Sequence, residues 1–463
     1  MNQPVPPPET KAPAAARAPG PFAFAEHGTT LPREVLAGLT TFMTMAYILV
    51  VNPSILSNAI FLETSGDLFA ELVIATAAAA AVATLVMGLY ARYPFALAPG
   101  MGLNAFFAYT VVIGLGFDWR LALFAVFVEG LIFIALTRLD LRRLVVQAIP
   151  NSLKHATAAG LGLFIAYIGL SNAGIIAASP ATKTTLGDIG EPSVAVAIAG
   201  IFITAALVAR GLVGALLLGI LATAALAWVA GVAAPPAAIV AVPDMPTDLF
   251  GQAFLGIPGL ADVNWLDFAV VLLVLLFVDF FDTAGSLTGL GLKAGLIDDR
   301  GELPRANRAF MADAIGTTAG AVFGTSTTTT YIESASGISA GGRTGFTAVA
   351  VALLFVASIF FIPLLSTIPA IATTPALVMV GVLMASSLKG IDWEDAAEAT
   401  PAFLTIILMP LTYSIAEGLA AGFVAYPVVK VFQGRAREVS TAMWVLAGIF
   451  VARFVLMGLG IGA

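Results

Sequence analysis

Runs of about 20 apolar residues, separated by short polar or proline-rich breaks, recur along the chain from Leu36 to Phe432. That length is what an α-helix needs to cross the hydrocarbon core of a bilayer, where a helix satisfies its own backbone polar groups. The runs are continuous rather than alternating, which excludes a transmembrane β-barrel. The pattern predicts helices near 36–57, 71–91, 96–113, 120–137, 153–175, 193–209 and 213–232 in a first half. A second half gives 267–292, 308–323, 329–341, 345–362, 374–388, 401–413 and 415–432. The expected fold class is therefore an all-α polytopic membrane protein of fourteen spans.

Composition agrees with this reading. Of 463 residues, 59% are hydrophobic and 11% are charged, against about 25% charged in a soluble domain. The absence of cysteine excludes disulfides, iron–sulfur clusters and thiol catalysis. Two histidines, His27 and His155, leave no histidine-rich metal site. No cofactor, no metal and no catalytic residue is expected, and the expected surroundings are a lipid bilayer rather than a nucleic acid.

Charge sets the orientation. With the N-terminus in the cytoplasm, eighteen of the 21 Lys and Arg residues fall in cytoplasmic segments, among them Arg33, Arg92, Arg142, Arg143, Lys154, Arg300, Arg343, Lys389 and Lys430. Only Arg120 and Lys183 fall outside, which obeys the positive-inside rule with both ends of a fourteen-span chain inside. Residues 1–30 read as a disordered cytoplasmic tail with no signal-peptide core. Residues 31–232 and 263–432 read as two seven-span repeats joined by an extracytoplasmic connection, 233–262. Residues 433–463 read as a cytoplasmic linker and an apolar segment, 441–461. That segment is either a fifteenth span or an interfacial helix, and Arg453 in its middle favours the interface.

Seven spans per half give the halves opposite orientations, the arrangement of an inverted repeat. Asn104 lies 68 residues after Leu36, and Glu333 lies 66 residues after Asp267, each where the third helix of its half is interrupted. The interruptions are Pro and Gly in FALAPGMGLNAFF and a β-branched run in GTSTTTTYIESASG, so short extended segments are expected in spans 3 and 10. Interrupted segments at matching positions of two halves point to a transporter site at the membrane midplane.

Three carboxylates stand in this apolar pattern: Asp279 and Asp282 in VLLFVDFFDTAGSL, and Glu333. A charge at membrane depth costs roughly 2.5–3.5 kcal/mol on insertion scales, so it faces protein or water and has a function. Asp279 and Asp282 are three apart and share a helix face, where a proton held between them relieves their repulsion. Asp282, followed by Thr283, Gly285 and Ser286, reads as the structural member of the pair. Glu333 is expected in the first turn of a half-helix resuming near Tyr331, with Asn104 in the matching half-helix opposite it. The expected pocket holds Glu333, Asn104, Asp279 and Thr330 with the rings of Phe106, Phe281 and Tyr331, and no Lys or Arg. A carboxylate, an amide and aromatic faces suit a flat, neutral ligand such as a purine base. Glu129, Asp313 and Glu417 read as polar contacts between helices.

At these residues the chain resembles the AzgA-like purine permeases of the nucleobase–cation symporter-2, or nucleobase–ascorbate transporter, superfamily. The likeness covers residues 24–432 and rests on LAGLTTFMTMAYILVVNP, YPFALAPGMGLNAFFAYT, SLKHATAAGLGLFIAYIGLSNAGI, FVDFFDTAGSLTG, GTSTTTTYIESASGISAGGRTG and PAFLTIILMPLTYSIAEG. It implies a core domain of spans 1–4 and 8–11 and a gate domain of spans 5–7 and 12–14. It implies proton symport of adenine, guanine, hypoxanthine or xanthine by an elevator-type mechanism in a bacterial inner membrane, with a homodimer formed through the gate domains. Asn104, Asp279, Asp282 and Glu333 match the family's polar site positions, with Asp279 first and Glu333 second for the proton and Asp282 beside them.

Two other readings are weighed against this one. An anion carrier of related fold would show a basic residue at the half-helix site and often a soluble C-terminal domain, and neither is read here. An intramembrane aspartyl protease would take its two acids from different helices, whereas Asp279 and Asp282 share one.

Overall fold

The computed structural model describes residues 22–139, 149–298 and 303–459. The tail through residue 21 and the expected cytoplasmic bases Arg142, Arg143 and Arg300 lie outside the described residues. Among the described residues, nine helices are long and apolar enough to cross a membrane, and shorter apolar helices accompany them. The protein is an all-α polytopic membrane protein.

The first span is α1 (Leu31–Met45) and α2 (Ile48–Leu56), with an irregularity at Ala46–Tyr47 where a single helix was expected. Next come α3 (Phe69–Val86), the short strand β1 (Leu97–Pro99) and α4 (Met101–Ala105), which continues as a π-helical turn to Gly114. The half continues with α5 (Trp119–Arg138), α6 (Asn151–Asn172), α7 (Pro192–Ala209) and α8 (Ala215–Val229). Between α6 and α7 a hairpin of β2 (Ile176–Ser179) and β3 (Lys183–Leu186) appears that hydropathy did not reveal.

A 3-10 segment, Gln252–Ala261, occupies part of the connection and packs on α5. The second half holds α9 (Trp265–Ala294), α10 (Ala306–Phe323), β4 (Thr328–Thr330) and α11 (Ser334–Ser339). It continues with α12 (Gly345–Ser358), α13 (Ile362–Leu365), α14 (Thr374–Met384), α15 (Ala396–Thr412) and α16 (Ile415–Phe432). A last helix, α17 (Thr441–Gly458), packs on α16.

The interrupted segments of the two halves meet. β1 and β4 pair antiparallel, with Leu97 opposite Thr330, Ala98 opposite Thr329 and Pro99 opposite Thr328. Extended backbone at membrane depth must be buried in protein and fully hydrogen-bonded, and all six strand residues are buried. The outer edge of each strand is closed by a threonine from the helix before it. Thr84 of α3 bonds both the N–H and the C=O of Leu97 at 2.9 Å. Thr317 of α10 bonds the C=O of Thr328 at 3.0 Å and its N–H at 3.2 Å.

The C-terminal segment packs against the helical bundle through its arginine. Arg453, in α17, bonds Glu417 in the first turn of α16 at 2.6 Å and Asp267 in the first turn of α9 at 3.2 Å. Near the other end of α16, Lys430 bonds Glu438 in the linker before α17 at 3.0 Å. The two helices are therefore antiparallel over their length, and the arginine that argued for an interface is neutralised by two carboxylates.

Candidate functional site

Beside the β1–β4 pair lies a cavity of about 120 Å³. One wall is polar: Tyr47 from the break in the first span, Gly100 and Gly102 after β1, Asp282 of α9, Thr329 and Thr330 of β4, and Glu333. The facing wall is apolar and comes from α6 and α14, with Leu161, Ile165, Val380 and Leu383. The cavity adjoins a larger vestibule of about 590 Å³ and shares Asp282, Ser286, Leu161 and Met384 with it. Lys154, His155 and Ser387 line the vestibule, on the side that charge assigns to the cytoplasm.

Glu333 stands at the N-cap of α11, one residue before the helix rather than inside its first turn. The ladder explains the shift, because the Tyr331 N–H bonds Ala96 C=O at 2.9 Å and so prolongs β4. The Tyr331 hydroxyl donates to Pro99 C=O at 2.6 Å, which holds the ring against β1. Glu333 Oε1 accepts from the Tyr47 hydroxyl at 2.8 Å; sequence position matches Tyr47 with Asp279 in the two repeats but does not pair it with Glu333. Tyr47 is fully buried.

The two aspartates of α9 go to different places. Asp282 faces the cavity and vestibule, and its Oδ2 accepts from Thr329 Oγ1 at 3.1 Å. Asp279, expected in the pocket, is fully buried away from the cavity and accepts from Thr317 Oγ1 at 3.4 Å. The helical offset that puts both on one flank still turns them apart, and β4 comes between: Thr329 bonds Asp282 while Thr330 Oγ1 bonds Asp313 Oδ1 at 3.2 Å. Strand alternation gives neighbouring threonines opposite directions.

Asn104, expected opposite Glu333, is fully buried outside the cavity wall, where its Oδ1 accepts from Ser326 Oγ on the approach to β4. Phe106 is also fully buried. Phe281 lines the vestibule, where Lys154 Nζ sits 5.5 Å from its ring centre. A base thus stands near the site, where none was expected. Close backbone approach explains Gly100, since a Cβ there would lie 2.8 Å from Thr329 Cγ2. Among the described residues, no three His, Asp or Glu side chains are arranged to hold a metal ion. The arrangement suits a small flat ligand held between a carboxylate-bearing polar wall and an apolar one.

Comparison with known proteins gives a consistent picture. Residues 32–420 match the permease family. The guanine/hypoxanthine permease PbuG of Bacillus subtilis is 46% identical over 94% of this chain and 99% of its own length. The adenine permease AdeP of Escherichia coli is 42% identical over 94% of this chain and 95% of its own length. The transmembrane domain of the cyanobacterial bicarbonate transporter BicA superposes with a TM-score of 0.59 at 15% identity, covering 85% of this chain and 97% of that one. That last likeness is one of fold.

Proposed function

The chain belongs to this permease family, as an AzgA-like purine permease of the nucleobase–cation symporter-2 superfamily, and we propose that it imports purine nucleobases together with protons. It is a transport protein, not an enzyme, which sets aside the protease reading. The observation that carries the proposal is Glu333, held by Tyr47 on the wall of a cavity made where β1 meets β4. A carboxylate accepts the N1–H and exocyclic N2–H of a guanine edge, or the single N1–H of hypoxanthine, and the hydroxyl of Thr329 offers a further polar contact. Adenine offers its exocyclic N6–H donor and xanthine its ring N1–H to the same carboxylate.

The mechanism we infer is elevator-like. Fourteen spans form two inverted repeats, and a core of spans 1–4 and 8–11 carries the polar wall. A gate of spans 5–7 and 12–14 supplies the apolar wall through α6 and α14 and is the natural surface for a homodimer. The matched closure of β1 by Thr84 and of β4 by Thr317 supports the repeat. Purine and proton enter together, and the loaded core slides along the apolar wall. Moving one charge down 100 mV supplies about 2.3 kcal/mol, or about fifty-fold accumulation. The protein resides in a bacterial inner membrane with its N-terminus in the cytoplasm, and α17 adds a fifteenth crossing beside α16.

Uptake of labelled adenine, guanine, hypoxanthine, xanthine and uracil into cells expressing the protein tests this reading. Saturable purine uptake that a protonophore abolishes supports it. Uptake insensitive to the protonophore contradicts the coupling, and uptake of uracil alone contradicts the substrate class.

A further inference from the structure

Behind β4, on the side away from the cavity, three carboxyl groups from three helices converge: Glu129 of α5, Asp279 of α9 and Asp313 of α10. All three residues are fully buried, and they are close enough to interact with one another. Both oxygens of Glu129, Oδ1 of Asp279 and Oδ2 of Asp313 lack a hydrogen-bond partner. The other charged group that reaches them is Asp282, and among the described residues no base does. The remaining partners are threonine hydroxyls, from Thr317 to Asp279 and from Thr283 and Thr330 to Asp313. Three unpaired carboxylates without a cation are untenable in a dry interior, whereas carboxylic acids supply the O–H donors that the orphaned oxygens need.

We propose that Glu129, Asp279 and Asp313 form a proton-binding site separate from the purine cavity, and that it carries the coupled proton. The inference rests on proton symport and names where the proton resides. Thr330 connects the two places, since it lines the cavity and its hydroxyl donates to Asp313. As the Thr330 oxygen takes a proton from the cavity side, its own proton passes to Asp313 Oδ1 and the hydroxyl is restored.

The test uses Glu129→Gln and Asp313→Asn in the full-length protein. Labelled guanine binding is measured in detergent, and accumulation is measured in proteoliposomes under a pH gradient. Binding within about twofold of the unsubstituted protein, with accumulation reduced to simple equilibration, supports the site. Accumulation unchanged in both variants overturns it. If the unsubstituted protein itself fails to accumulate guanine under the gradient, proton symport has failed rather than the location of the proton. Infrared spectroscopy reads the site independently of transport. Each substitution should remove intensity from the carbonyl band of protonated carboxyls, and loss in neither variant overturns the proposal.

A second relationship stands on other residues. Arg453 is buried and joins Asp267, at the start of α9, to Glu417, at the start of α16. In the elevator reading α9 belongs to the sliding core and α16 to the gate. The cavity opens at the opposite end, towards Lys154 and Ser387. The geometry points to Arg453 as a tie that closes the extracytoplasmic side in the inward-facing state and breaks at Asp267 when the core slides.

The chain has no cysteine, so paired cysteines can be introduced and joined with a short bifunctional maleimide. Joining Asp267→Cys to Arg453→Cys should stop guanine transport while guanine binding persists. Joining Glu417→Cys to Arg453→Cys should leave transport intact. The reverse result overturns the tie, because α17 would then travel with the core. If neither link stops transport, relative sliding of α9 and α16 fails as well, and the tie with it.

Discussion

The Tyr47 hydroxyl donates to Glu333 Oε1 at 2.8 Å, joining the break in the first span to the N-cap of α11 across 286 positions of sequence. The bond orients a carboxylate that lines the cavity. A hydrogen bond to a charged group contributes about 1.5–3 kcal/mol. Tyr47→Phe should therefore raise the KM for purine uptake by about tenfold or more, at unchanged protein level in the membrane. An unchanged KM in transport assays would remove Tyr47 from the site.

Gly100 separates β1 from α4 and meets Thr329 directly. Gly100→Ala places a methyl group 2.8 Å from Thr329 Cγ2, and Thr329 in turn bonds Asp282. Purine binding should weaken by about tenfold, since overpacking of this kind costs about 1–3 kcal/mol. Gly448→Ala, where nothing lies within 4 Å of the added carbon, serves as the control and should bind purine normally. Equal binding by the two variants, measured by equilibrium binding of labelled guanine, would show that the strand gives way freely.

How much of this was legible in sequence depends on the kind of signal each residue leaves. Glu333 and Asp282 are conspicuous because a carboxylate in an apolar run is costly, and both reach the cavity wall. Tyr47 is marked only by its repeat position matching Asp279, which does not reveal its bond to Glu333. Thr84 and Thr317 are hidden in alanine-rich helices, where their role appears only once β1 and β4 are paired. The three-residue spacing of Asp279 and Asp282 indicated one helix flank but not the strand that separates their surroundings. Glu129 and Asp313 read singly as helix contacts, because convergence of α5, α9 and α10 is a tertiary fact. The hairpin of β2 and β3 lies in a connection, where hydropathy periodicity has nothing to report.

The last helix gives a topological prediction. An 18-residue helix is about 27 Å long, and α17 runs antiparallel to α16 from the Lys430 end to Glu417. In the cysteine-free background, Leu459→Cys should react with a membrane-impermeant maleimide added to intact cells, while Gln433→Cys should not. Labelling of both positions only in inverted vesicles would return α17 to the cytoplasmic interface.

Outside the membrane, Arg435 bonds Asp395 at 2.5 Å and Glu438 at 2.7 Å, tying the start of α15 to the linker before α17. Hydrogen bonds from Arg435 and Lys430 pull the Glu438 carboxyl down to about 2 from its ordinary 4.5. Asp395 is likewise lowered, chiefly by Arg435. Groups depressed in the folded state stabilise it above their ordinary range and lose that contribution as pH falls towards the folded value. Thermal unfolding of the unsubstituted protein and Glu438→Gln should therefore differ most above pH 4.5 and converge as pH approaches about 2. A gap that stays constant over this window would show that the network adds nothing through Glu438.

The central claim, that a cavity built on Glu333 couples purine entry to proton entry, is tested most directly by proton flux. Purified protein is reconstituted in vesicles loaded with a pH-sensitive dye, and hypoxanthine or guanine is added outside. The expected result is acidification of the lumen on purine addition, absent with uracil and abolished in Glu333→Gln. Purine entry with no change in internal pH, or undiminished acidification in Glu333→Gln, would contradict the account.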